Sequence, residues 1–283
     1  MTEIRRLRRR DAEYPRLLAA IHDPPPGLFV RGCGSDELLS QTAVAVVGAR
    51  ACSSYGRSVA RSLGRELAAA GLVVVSGMAR GIDGDVHRGA LEAGVTVAVL
   101  GCGIDRDYPA AHAELARRIC ERGLIVSEYE PGIEPAPWRF PARNRIIAGL
   151  CEATVVVEAR ERSGALITAD FALEEGRDVF AVPGEITSAL SAGTNALIRL
   201  GAIPVTCAGD ILELFDLVPA KPEGAPLGPD AQALLESLRD RALTADELMR
   251  VSGVQPAQAS AALVELELGR RVALEDGVYR TSV

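Results

Sequence analysis

Six short runs of β-branched and aliphatic residues are spaced along the middle of this chain: AVAVVG (43–48), LVVVSG (72–77), VTVAVLG (95–101), LIVSE (124–128), ATVVVEA (153–159) and DVFAVPG (178–184). Stretches of helical periodicity separate them: YGRSVARSLGRELAAAG, DGDVHRGALEAG, AAHAELARRICERG, ARNRIIAGLC and GALITADFALEEG. A strand that is apolar at every position must be buried on both faces. Alternation with amphipathic helices supplies the covering layers of a parallel sheet. The pattern predicts a doubly wound, Rossmann-like α/β domain over residues 41–218.

The flanks read differently. Residues 1–40 look short and irregular, with one helical turn, a triple proline and an extended piece in YPRLLAAIHDPPPGLFVRG, and are expected to pack as an N-terminal leader. The Pro/Gly-rich stretch 219–228 reads as a linker. Residues 229–283 change character, with DAQALLESLRD, TADELMRVSG and PAQASAALVELELGRRV followed by ALEDGVYRTS. Three short helices and a hairpin fit a winged helix-turn-helix, its third helix opening at Pro256, a favoured first position.

Composition excludes several chemistries. Lys221 is the only lysine, so 30 of the 31 fixed cations are arginine. No GxxxxGK[ST] loop exists, and no lysine is placed for a Schiff base. The net charge of −7 argues against a broadly basic coat for nucleic acid but leaves room for a local basic groove. The six cysteines form no CxxC pair, and with three histidines they give no zinc spacing, so cofactors and metals are expected to be absent. Scattered reduced cysteines, no signal-peptide pattern and no long apolar segment point to a cytoplasmic protein.

Ligands of an open parallel sheet sit outside the carboxyl ends of its strands. After the first run, GARACSSYG offers Gly48 for close backbone approach, Arg50 as a fixed cation and Ser53 or Ser54 as a helix cap. SGMARGID places Arg80 between Gly77 and Gly81, with Asp83 positioned to cap. Farther on, WRFPARNR sets Phe140 among Arg139, Arg143, Asn144 and Arg145, an aromatic amid cations such as single-stranded nucleic acid uses. Arg143 and Arg145 fall on different helix faces, one toward ligand and one as an anchor. Glu158 ends the fifth run, where it is expected to pair with an arginine, and Ser163 and Gly164 open the next helix. No nucleophile–base pair emerges; His87 and His112 read as packing residues. Helix N-termini, glycines and arginines gathered on one rim imply a polyanion, better an extended phosphodiester than a single nucleotide.

These segments carry a resemblance. VAVVGAR-x-x-S-x-YG, SGMARGID, HRGAL, TVAVLGCGID-x-x-YP, GLIVSEY-x-PG, FPARNRIIAGL, VVVEA, SGALITA, GRDVFAVPG and GTNALI-x-x-GA occur in this order. Together they resemble the DprA/Smf family of bacterial DNA-processing proteins. The resemblance implies single-stranded DNA binding, a part in natural transformation, help in loading the RecA recombinase, and a homodimer formed through the late Rossmann-like region. Our candidate stretch for that interface is 205–217. It also implies that Arg50, Phe140, Arg143, Asn144 and Arg145 contact DNA and that Ser163 and Gly164 lie beside phosphate.

The chain departs from the family pattern in three ways. Ile167 or Thr168 stands where some members have a lysine. Only about 13 residues precede Tyr14, so the SAM-like N-terminal domain of many members is expected to be absent or reduced to RRLRRR. The region 229–283 carries six arginines against nine acids, a net of −3, with Glu265 and Glu267 on its third helix, which favours protein docking over duplex reading. Two other functions compete. A nucleotide phosphoribohydrolase of the lysine-decarboxylase-like type is suggested by PGE…GTN (183–195), but Asn195 stands where the catalytic Glu would follow. A winged-helix transcription factor would need the cations its third helix lacks.

Overall fold

The computed structural model describes residues 3–219, 227–239, 241–269, 271–275 and 277–281. The chain divides into two compact units, 1–220 and 221–283. The expected linker, 219–228, falls largely outside the described residues.

The first unit is built on a nine-stranded sheet. Its central strands are β3 (Ala43–Val47), β4 (Val73–Ser76), β5 (Thr96–Leu100), β6 (Leu124–Ser127), β7 (Ala153–Val156), β8 (Asp178–Ala181) and β9 (Ile203–Pro204). Two more, β1 (Ile4–Arg8) and β2 (Gly27–Arg31), lie beyond β6. The spatial order is β1-β2-β6-β5-β4-β3-β7-β8-β9, parallel from β6 to β9. Starting at β3, the chain winds outward to β6, then returns to β7 on the other side of β3. The topological switch therefore lies between β3 and β7, where Val46 faces Val155 and Val47 faces Val156.

Strict alternation sends β3 residues to both layers. Ala43, Ala45 and Val47 pack under α1 (Arg16–Ala19), α5 (Arg139–Gly149), α6 (Gly164–Glu174) and α7 (Ala192–Arg199) with Leu18, Ile146, Ile147, Ala169 and Leu197. Val44 and Val46 pack under α2 (Ser54–Ala69), α3 (Ile82–Ala93) and α8 (Ala208–Leu212) with Leu63, Leu67, Val86 and Ile211. On that second face α4 (Ala113–Arg122) covers Ala98, Leu100 and Ile125.

Residues 1–40 are not a separate leader. β1 and β2 extend the sheet antiparallel, and Leu7, Leu28 and Val30 join the core beneath α5. Tyr14 is buried and donates its hydroxyl to the Pro25 carbonyl at 2.8 Å, and burial pushes its pKa up to about 12. The strand IRRLR contributes only Leu7 to the core, so its arginines conceal it from any hydropathy reading.

The second unit has the winged-helix order: α9 (Pro229–Ser237), α10 (Ala245–Ser252) and α11 (Pro256–Leu268), then the hairpin β10 (Val272–Glu275) and β11 (Val278–Thr281). Thr244 and Glu247 cap α10 reciprocally. Leu234, Leu248, Leu263, Leu266 and Val272 form its core. The acids of α11, Glu265 and Glu267, are both exposed, and Glu265 also accepts the Gly228 N–H at 3.1 Å. Its exposed N-terminal face (Ala257, Gln258, Ser260 and Ala261) still carries no cation for a phosphate.

A buried histidine makes the sheet unit acid-sensitive. His87 on α3 is wholly enclosed and lies 2.7 Å from the Thr96 hydroxyl, which itself donates to the Val74 carbonyl. Burial lowers the His87 pKa to about 3. The unfolded chain therefore binds a proton that the folded one refuses between its ordinary value near 6.5 and about 3. Stability is full above that window and falls with pH through it, by at most about 5 kcal/mol from this residue. Chemical unfolding of wild type and His87→Gln at pH 7.5 and 4.5 checks this; the variant should lose much of the difference between the two pH values.

Candidate nucleic-acid interface

The loops after β3 and β7 face each other across the switch point. Two close packings set the first. A Cβ on Gly48 would stand 2.6 Å from the Ile82 side chain at the start of α3. Gly81 has φ +75°, and a Cβ there would stand 2.4 Å from the Ala49 carbonyl oxygen. The Arg50 loop is thus pressed onto α3, and only glycine fits at both contacts.

Ser53 caps α2 by accepting the Gly56 N–H at 3.0 Å, and it donates its hydroxyl to Glu158 at 2.5 Å. Glu158 also accepts the Ser53 N–H at 2.9 Å, and its carbonyl takes the Ala49 N–H at 2.7 Å. Glu158 therefore braces the helix N-terminus and pairs with no described arginine, contrary to the expectation for it. Ser53, with its hydroxyl spent and no place in the cavity lining, is a structural cap.

A cavity of about 370 Å³ opens above this frame, lined by Gly48, Arg50, Phe140, Arg143, Ser163 and Gly164 among others. A second of about 350 Å³ adjoins it and shares Arg50, Phe140 and Arg143 while adding Arg80 and Tyr108. The Arg50 guanidinium lies 5.2 Å above the Phe140 ring, which stacks on Tyr108 at 5.3 Å and 25°. This ladder of cation and two aromatic faces is the centre of the groove. Ser163 caps α6 through the Ala165 N–H at 3.3 Å, and the space where a Gly164 side chain would stand is empty, so the α6 N-terminus is open to a ligand.

The arginines of FPARNR do different work from the expected split. Arg143 is 4% exposed; it donates to the Gly77 carbonyl at 2.5 Å, to the Val99 carbonyl, and to Asn144 Oδ1 at 3.2 Å. Burial lowers its pKa to about 10, opposed by the neighbouring Asp83 carboxylate. It forms the floor of the groove. Asn144 donates to the Gly164 carbonyl at 3.0 Å, tying α5 to α6. Arg145 lines neither cavity: it grips Glu128 with both terminal nitrogens, at 3.0 and 2.8 Å, and Asp23 at 3.0 Å. It clamps the loop before β2 and the residue after β6 to α5, so both arginines are anchors and neither is a free cation.

The free cations lie elsewhere. Arg50, Arg80, Arg160 and Arg162 are all exposed, and none forms an ion pair with any described residue. Arg160 and Arg162, together with Tyr108, are groove residues that sequence reasoning did not single out. EARERSG did place the two arginines directly after the strand that crosses the switch.

The lining is rich in groups that bind an anion. Asp83 is the single acid lining the two cavities, and it is buried beside Arg143 with the Ala79 N–H on its Oδ2 at 3.3 Å. Cys102 lines the second cavity, but burial pushes its thiol pKa up, away from the thiolate. Asn195, the position of interest for a phosphoribohydrolase, is a clamp: it accepts the Gly184 N–H at 3.2 Å and donates to the Gly184 carbonyl at 3.0 Å.

Fold and site together define a Rossmann-like domain with an arginine-lined groove at its switch point, followed in the chain by a winged helix. Comparison with known proteins gives that class a family. Residues 5–216 match the model of DNA recombination-mediator protein A, and residues 218–277 match the DprA winged helix domain. A putative DNA processing protein DprA of Mycobacterium tuberculosis is 42% identical over 95% of this chain and 75% of its own length. The X-ray structure of DprA from Streptococcus pneumoniae is similar with TM-score 0.71 and 46% identity, covering 75% of this chain and 74% of that one. A Helicobacter pylori DprA structure, described for its single-stranded DNA binding mode, gives TM-score 0.69 at 29% identity over 77% of this chain and all of that one. The chain belongs to the DprA/Smf family of DNA-processing proteins. Among the described residues no helix is long and apolar enough to cross a membrane.

Proposed function

We propose that the first unit binds single-stranded DNA along the groove at the switch point, and that the protein acts as a recombination mediator which protects the strand and hands it to RecA without chemical turnover. The observation that carries this reading is the set of four exposed, acid-free arginines around the Arg50–Phe140–Tyr108 ladder. Phosphates lie against the guanidinium groups and the α6 N-terminus while bases stack near Phe140. Of the residues expected to touch DNA, Gly48, Arg50, Arg80, Phe140, Arg143, Asn144, Ser163 and Gly164 line the groove, Arg143 as its buried floor. Ser53 and Arg145 hold its frame.

The matched family model supports the mediator role, and the Helicobacter pylori relative supports the ligand. The homodimer forms through the late part of the same unit. There β9 pairs only with β8, and Leu200, Ile203, Leu214 and Val218 are exposed, whereas Val205 is buried. The reaction belongs in the cytoplasm, where incoming strand and RecA meet. With no cation on its α11 face, the winged helix serves protein docking.

Fluorescence anisotropy of a labelled 30-mer, single- or double-stranded, across a salt series tests the reading. Four neutralised phosphates give a log–log slope near −3 for the single strand. Equal or tighter binding of the duplex would move the activity away from the groove.

A further inference from the structure

A third depression adjoins the groove on the side of β8. It shares Arg160 and Arg162 with the first cavity and is completed by Glu161, Ile186, Thr187 and Ser188. Ile186 is 96% exposed, the most exposed large apolar side chain among the described residues. Its loop is braced at both ends. Asn195 clamps Gly184 through two hydrogen bonds, the Leu190 carbonyl accepts the Ala159 N–H at 2.8 Å, and the Ser188 N–H donates to the Glu185 carbonyl at 3.0 Å. The loop thus holds an isoleucine in water beside two unpaired guanidinium groups. The Ser188 hydroxyl oxygen accepts the Leu190 N–H at 3.3 Å, which leaves its proton to donate outward.

We propose that this depression is an additional subsite for single-stranded nucleic acid, with one base face resting on Ile186 and the following phosphate held by Arg162 and the hydroxyls of Thr187 and Ser188. The inference rests on the reading given under Proposed function and lengthens it. The groove then follows the carboxyl ends of β5, β4, β3, β7 and β8, in their spatial order. At about 4.8 Å between neighbouring strands that is roughly 19 Å. About five or six nucleotides fill this length at the stacked rise of 3.4 Å, and fewer when the strand is extended. The central cavities alone hold about three or four. Glu161 is the one acid lining the subsite, and its charge opposes a phosphate passing there.

Oligothymidylates of about 4 and about 12 nucleotides separate the subsite from the groove, the short one measured by competition against the long. Ile186→Ser should weaken the long strand about fivefold and leave the short one within twofold. Glu161→Gln should tighten the long strand two- to threefold and again spare the short one. Both positions are exposed, so thermal melting should be unchanged. The subsite is overturned if Ile186→Ser affects both lengths alike or neither. It is also overturned if the substitution changes only the molar mass in solution, since a second copy of the chain then covers Ile186. Failure of the wild-type protein to bind either length sinks the groove itself, whereas loss with Arg50→Ala beside a neutral Ile186→Ser keeps the groove and removes only the extension.

Discussion

Arg143→Ala is expected to cost the first unit about 3–5 kcal/mol of stability, a larger effect than on any direct contact with DNA. The side chain is buried, and its loss strands the carbonyls of Gly77 and Val99 together with the Asp83 carboxylate. Leaving one member of a buried charge pair without its partner costs about that much, and an unsatisfied buried carbonyl adds about 1–3 kcal/mol where no water reaches it. For a unit of this size the melting temperature should fall by about 6–20 °C. Two further readouts identify the cause. Burial already raises the Asp83 pKa, and Arg143 is the largest influence lowering it. Without the arginine it rises further, so folding takes up a proton, and the gap between variant and wild type should narrow as the pH falls toward 5. Arg143→Ala combined with Asp83→Asn should also be more stable than Arg143→Ala alone, with a coupling of about 1–3 kcal/mol. A variant that melts with the wild type while losing DNA would return Arg143 to the role of a simple contact.

That contrast shows where reading the sequence stops. The sheet was legible because burial on both faces writes itself as unbroken apolar runs, and each of β3 to β8 lies inside one of the six runs, whereas the two-residue β9 has none. A cap at Ser53 or Ser54 was legible because a small hydroxyl residue before a periodic stretch has one main use, and the structure selects Ser53. Nothing local distinguishes Arg143 from Arg145, or either from Arg50. What decides is which side chain meets the carbonyls of Gly77 and Val99, residues 66 and 44 positions away, and which meets Glu128 and Asp23. The same holds for Glu158, whose partner is a helix N-terminus brought over by strand pairing. β1 escaped notice because an edge strand needs only one inward residue, and Leu7 supplies it. Arg160 and Arg162 looked like ordinary surface charge until the switch point placed them opposite Arg50. Tyr108 entered the groove only through its stacking on Phe140.

The sharpest separation of binding from folding comes from the triple substitution Arg50→Ala, Arg160→Ala, Arg162→Ala. All three side chains are exposed and none is ion-paired to a described residue, so the unfolding free energy should stay within about 0.5 kcal/mol of wild type. Single-strand affinity should fall at least about a hundredfold at low salt, since each cation removes a charge-assisted contact worth about 1.5–3 kcal/mol and the three losses overlap in part. The salt series gives the more specific reading. Each phosphate no longer neutralised removes about 0.7 from the slope on a single strand, so a slope near −3 should flatten to about −1, the remainder falling to Arg80 and the α6 N-terminus. Arg50→Lys offers an internal control: it keeps the charge but cannot lay a planar guanidinium over Phe140, so the slope should hold while affinity drops several-fold. An unchanged slope in the triple variant would mean that the phosphates run elsewhere, and the exposed arginines of the N-terminal strand (Arg6, Arg8, Arg9 and Arg10) would be the next cations to remove. A flattened slope with intact melting would place the polyanion on the rim formed where the chain reverses direction between β3 and β7.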